Sequence, residues 1–174
     1  MTTQERRAAI LETLSRSPQP ISASALARRF GVSRQLIVGD VALLRAGGEA
    51  IAATARGYTL HLQPQGLIRQ VACRHEAAGM EAELQIMVDN GCTVLDVIVD
   101  HPVYGQLTGA LQLSSRYDVR RFIQRSSAAQ PLSLLTEGVH LHTLSCPDED
   151  AFRRVLEELR GAGFLLEDQK EDVL

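Results

Sequence analysis

The chain has 174 residues, 45% of them hydrophobic and 22% charged, with a net charge of −3; this is the balance of an ordinary soluble globular protein. No run of about 18 apolar residues occurs, which excludes a membrane-spanning helix, and no apolar signal-peptide core follows the N-terminus, so a cytoplasmic protein is expected. Cys73, Cys92 and Cys146 are widely spaced and form no Cys-x-x-Cys pair, which argues against a disulfide framework or a thiolate zinc site.

The net charge hides an asymmetry. Residues 1–60 carry eight arginines against four acidic residues, +4, whereas the rest of the chain stands at −7. A basic front end on an acidic body suggests that a polyanion meets the N-terminal part. There, Gln4 to Ser15 sets Ile10, Leu11 and Leu14 on one helical stripe, and Pro18 and Pro20 then break the chain. A second helix is predicted from Ser24 to Phe30, with Gly31 in the turn. Ser33 is a suitable N-cap for a third, running to about Ala46, and Val32 can pack on Ile37 across that cap. The stripe Ile37, Val41, Leu44 faces inward, and Gly47-Gly48 ends the helix.

Two helices joined by a short glycine-containing turn are the helix-turn-helix pattern, in which the start of the second helix meets base edges in the major groove. Those residues are Ser33, Arg34 and Gln35; arginine can pair with guanine and glutamine with adenine in bidentate fashion. Ala50–Thr54 and Gly57–His61 read as a hairpin wing whose Arg56 can reach a phosphate or a minor groove. The run Leu26-Ala27-Arg28-Arg29-Phe30-Gly31-Val32-Ser33-Arg34-Gln35 closely resembles the winged helix-turn-helix at the front of many bacterial repressors. Double-stranded operator DNA is the expected partner of residues 1–62.

A linker is predicted at residues 63–66 and a second domain over 67–166. Leu67–Cys73 reads as a strand; Met80, Leu84, Met87 and Val88 mark a helix; Thr93–Val99 and Gln106–Leu113 read as antiparallel strands about a turn at 100–105. Val119, Phe122 and Ile123 mark another helix, a strand covers 139–144, and Asp148 opens a last helix through Leu159. The predicted fold class is α+β: a winged helix-turn-helix followed by a small α/β sandwich of order β-α-β-β-α-β-α. Its four-stranded sheet is mostly antiparallel, with helices on one face. Residues 167–174 are an acidic tail.

The strand Gly138-Val139-His140-Leu141-His142-Thr143-Leu144 alternates histidine with apolar residues, so His140 and His142 share a face, roughly 6 to 7 Å apart. His75 stands at the end of the domain's first strand. Glu83, one turn past Met80, lies at the edge of a buried helical stripe and can turn toward the sheet end. Three imidazoles and one carboxylate from separate elements can close around a divalent transition metal of the nickel, zinc or iron kind.

The segments Val97-Ile98-Val99-Asp100-His101-Pro102-Val103-Tyr104-Gly105 and Pro131 to Thr143, with His75 and Glu83, resemble the three-histidine (3H) domain. Joined to the winged helix, the whole chain resembles the niacin-responsive transcriptional repressors of bacteria. The resemblance implies a homodimeric repressor of NAD-salvage and niacin-uptake genes, with nicotinic acid as co-repressor. It implies one divalent metal per chain, nickel or zinc, on His75, Glu83, His140 and His142. The family's remaining signature histidine corresponds to His101, read here as a pocket or structural residue, and Tyr104, Thr136 and Arg116 are expected to wall the effector site, Arg116 as a carboxylate partner. Gly39 departs from the polar residue that relatives carry on the recognition helix. Two alternatives compete: a metal-dependent hydrolase with Glu83 as general base, and a repressor whose metal is purely structural and whose effector is another small molecule.

Overall fold

The computed structural model describes residues 1–60 and 66–167 and divides into two compact units, Met1–Gln63 and Pro64–Leu174. Most of the expected linker and acidic tail lie outside the described residues.

The first unit is built from α1 (Thr3–Arg16), α2 (Ala23–Phe30), α3 (Arg34–Ala46) and a hairpin of β1 (Ala52–Thr54) and β2 (Gly57–Thr59). Each helix starts on a side-chain cap: Thr2 in a capping box with Glu5, then Ser22, then Ser33, whose hydroxyl accepts the Leu36 N–H, satisfying amides that the first turn leaves orphaned. Gly31 ends α2 in the left-handed region at φ 65°, a conformation that costs glycine little. Ile10, Leu14, Leu26, Ile37, Val41 and Ile51 form the core. Two ion pairs also join α1 to α3. Asp40, buried on α3, takes Arg6 Nε at 2.6 Å and Arg7 Nε at 3.0 Å. The wing docks through a bridge between Ile21 and Tyr58.

The second unit holds β3 (Leu67–Arg74), α4 (Met80–Asp89), β4 (Thr93–His101), β5 (Gly105–Leu113), α5 (Arg116–Ser126), β6 (Val139–Cys146) and α6 (Glu149–Gly161). The sheet order is β3-β6-β4-β5, and every pairing is antiparallel. The last strand in sequence is therefore inserted between the first two, and the helices pack over the face that carries Val71, Val94, Leu113 and Leu144. The register places Cys73 opposite His140 and Val71 and Val97 on either side of His142.

Three local features differ from the sequence expectation. β4 runs on through His101, because His101 pairs with Gly105 and its Nδ1 accepts the N–H groups of Val103 and Tyr104 at 3.1 and 3.2 Å, so the ring itself closes the turn. A 3₁₀ turn occupies Leu132–Thr136. Residues 164–166 continue the sheet along β3: Arg74 N–H donates to Phe164 O and Leu166 N–H to Ala72 O.

Candidate metal centre and recognition helix

Two antiparallel neighbours, β3 and β6, and the first turn of α4 build the centre. His140 and His142 occupy alternate positions of β6 and point into the helix-covered face, 2% and 3% exposed. His75 follows β3, and Glu83 descends from α4 at 1% exposure. Three Nε2 atoms face one carboxylate: His75 at 2.7 Å and His142 at 3.4 Å from Oε2, and His140 at 2.9 Å from Oε1. The rings of His75 and His142 each stand edge-on to His140, with centroids 4.9 Å apart.

The opposite nitrogen of each ring decides the chemistry. Nδ1 of His75 bonds Glu76 O at 2.7 Å, that of His140 bonds Gly138 O at 2.8 Å, and that of His142 bonds Asp96 O at 2.7 Å. A carbonyl only accepts, so each Nδ1 must donate. In a neutral ring Nε2 then carries a lone pair, and three lone pairs would face a carboxylate. Something cationic has to stand between them, either protons or a metal ion. A transition metal takes neutral imidazole nitrogen and carboxylate oxygen as ligands, and carbonyl-anchored imidazoles are the arrangement that orients such ligands. The donor set fits a divalent transition metal.

The backbone is shaped for those anchors. The register of β4 shifts between Val94 and Asp96; the Asp96 carbonyl there meets the His142 ring, while the Asp96 carboxylate takes the Thr143 N–H at 3.0 Å. Gly138, at φ 85°, lets β6 begin against His75; a Cβ there would stand 2.1 Å from the His75 carbonyl oxygen. Phe164 closes the outer side of His75, with ring centroids 5.3 Å apart.

Electrostatics follow from burial and convergence. Burial alone would push the Glu83 carboxyl up, but the charge of His142 and hydrogen bonds from all three imidazoles hold it well below the usual carboxylate range. Burial pulls His75 and His142 down, yet the Glu83 carboxylate carries both above the ordinary imidazole value. Cys73, fully buried beside this group, has its thiol pushed up, first by burial and then by the charge of Glu83.

Of the other residues expected near an effector, Arg116 alone lies away from this end of the sheet. His101 stands at the same end of the sheet, four residues past Val97, with its ring against Tyr104 at 5.0 Å; Tyr104 is 74% exposed. Thr136 ends the 3₁₀ turn that leads into β6, its hydroxyl donating to Val139 O. Arg116 is not brought to the cluster. Its guanidinium holds Asp89 in two bonds of 2.7 and 2.5 Å at the far end of α4 from Glu83, and that surface carboxylate takes the place assigned to an effector's. Cys73, whose Sγ, a Glu83 carboxylate oxygen and a His140 ring nitrogen all lie within 4.8 Å of one another, is a candidate that sequence reasoning missed. Its signal was the spacing Cys73-x-His75, which mirrors His140-x-His142.

In the first unit Ser33, Arg34 and Gln35 are exposed at the start of α3, and Arg56 is half-buried in the wing. Leu36, also missed, is 42% exposed beside them, an apolar group of the kind that meets a thymine methyl.

An exposed recognition helix on one unit and a ligand-grade histidine cluster on the other define a two-domain transcription regulator. Residues 6–59 match the helix-turn-helix (HTH) domain and residues 68–168 the 3H domain. The chain is 44% identical over 167 residues to the probable transcription repressor NiaR of Thermotoga maritima, with 95% of each chain covered. It is 44% identical over 169 residues to the transcription repressor NadR of Bacillus subtilis, with 94% of each chain covered. The chain belongs to this family of 3H-domain transcription repressors: it is a DNA-binding repressor and not an enzyme. That sets aside the hydrolase alternative. No helix among the described residues is long and apolar enough to cross a membrane.

Proposed function

We propose that the protein represses NAD-salvage and niacin-uptake genes in response to nicotinic acid, which it senses through one nickel or zinc ion in its C-terminal domain. The observation that carries this reading is the set of three imidazoles, each anchored through Nδ1 to a carbonyl, with Nε2 turned to a single carboxylate. His75, Glu83, His140 and His142 would hold the metal, which supplies a Lewis-acidic position for a pyridine nitrogen or a carboxylate. His101, Tyr104 and Thr136, at the same end of the domain, form the effector wall. The protein acts as a homodimer that sets two recognition helices in successive major grooves of the operator, about 34–36 Å apart. Nicotinic acid acts as co-repressor by binding more tightly to that arrangement than to any other.

The burial of the four ligands, none with a side chain more than 4% exposed, favours a second reading, in which the metal is structural and another small molecule is the effector. One titration separates the two. Operator affinity is measured against nicotinic acid in metal-loaded and chelator-treated protein. Tighter binding only with both metal and nicotinic acid supports the first reading; indifference to nicotinic acid at every metal level overturns it.

Recognition and positioning divide between two arginines. Arg34→Ala is expected to cost about 1–3 kcal/mol on the operator and to relax base preference at one position. Arg56→Ala is expected to weaken binding evenly across sequences and to lower the salt slope by about one. Binding to a panel of singly substituted operators at several salt concentrations checks both; equal losses on every sequence for Arg34→Ala would remove it from base contact.

A further inference from the structure

Cys73 stands beside the Glu83–His140 pair. The register sets it directly opposite His140, and by strand alternation its side chain shares the face of His75, two residues on. The residue is fully buried, and its Sγ and the ligating atoms of Glu83 and His140 all lie within 4.8 Å of one another. Donors in one coordination shell, with metal–nitrogen near 2.0–2.1 Å and metal–sulfur near 2.3 Å, stand roughly 3 to 4 Å apart. A contraction on the order of 1 Å therefore brings the sulfur into the same shell, and a cation that replaces the imidazole–carboxylate hydrogen bonds supplies the pull.

We propose that Cys73 is a further ligand of the metal centre, its thiolate joining the histidines and Glu83 from the sheet side. This rests on the reading that those four residues hold a metal. On binding, the S–H bond breaks, a metal–sulfur bond forms and the proton leaves to solvent; no electron is transferred, so no oxidant is needed. A thiolate among nitrogen and oxygen donors biases the site toward nickel, cobalt and zinc and away from magnesium and manganese. The competing role is a small apolar filler, which a buried cysteine often plays.

Cobalt(II) distinguishes the two roles by its spectrum. Full-length protein loaded with cobalt is expected to show visible d–d bands together with a near-ultraviolet thiolate-to-cobalt charge-transfer band. Cys73→Ser is expected to keep the d–d bands, lose the charge-transfer band and bind nickel about tenfold more weakly, the scale of change that even an outer-shell partner can produce. Wild-type d–d bands without charge transfer, or a charge-transfer band that survives in Cys73→Ser, overturn the proposal. Absence of both bands means that no cobalt is held, which overturns the metal reading along with it. Should Cys73→Ser fail to fold, the Cys92→Ser/Cys146→Ser double variant decides, since Cys73 is then the sole thiol: charge transfer retained supports Cys73 as ligand, and its loss overturns it.

Discussion

Glu83→Gln is expected to abolish tight metal binding while leaving the fold in place. The glutamine keeps the shape but removes the charge toward which all three Nε2 atoms point, so the loss should exceed the roughly 10–100-fold that follows removal of an outer-shell partner. Calorimetric titration with nickel and zinc checks this; an affinity within threefold of wild type would remove Glu83 from the coordination shell. The same titration has a defined pH dependence. His75 and His142 have raised values in the metal-free fold, so their contribution to metal-free stability is complete below the ordinary imidazole range and is lost as pH rises through the raised values. Glu83, held low, contributes above the ordinary carboxylate range and loses its contribution as pH falls through the depressed value. Metal requires the deprotonated imidazoles, so binding releases protons and strengthens as pH rises. At a free metal concentration of 100 Kd the wild type gains about 2.7 kcal/mol, a shift that Glu83→Gln should lack.

Asp40→Ala is the second large effect and strikes the DNA-binding unit. It would leave Arg6, with a side chain 9% exposed, as a buried cation without its carboxylate, and breaking such a pair costs about 3–5 kcal/mol. Urea unfolding followed by circular dichroism and operator binding should show the N-terminal unit melting first; a shift below about 1 kcal/mol would mean that solvent reaches Arg6. Acid should mimic the substitution. Burial raises the Asp40 carboxyl, but hydrogen bonds and charges from Arg6 and Arg7 lower it by more. Its contribution is therefore complete above the ordinary aspartate range and fades as pH falls through the depressed value.

The helix-turn-helix was legible because caps and stripes are local: Ser33, Gly31 and the Ile37, Val41, Leu44 spacing all lie within residues 31–44. The strand carrying His140 and His142 was legible because alternation is a two-residue signal. What escaped depends on pairing across the chain. Inserting β6 between β3 and β4 is a tertiary choice, and only that choice sets Cys73 against His140. The carbonyl that anchors His142 lies at a register shift in β4, which Val94 and Asp96 do not announce. Arg116 had several carboxylates to choose from, and sequence alone could not single out Asp89. The 3₁₀ turn Leu132–Thr136 is too short to carry a period.

The segment at Phe164–Leu166 has a bearing on how the protein is made. Along the chain His75 and Glu83 leave the ribosome early, the two imidazoles of β6 come more than fifty residues later, and the ring that lies on His75 comes last of all. The recognition unit can fold during synthesis, since domains generally mature from the N-terminal end. The pocket around His75 is not closed until Phe164 has been made, so a growing chain would hold its DNA-reading half before its histidine cluster.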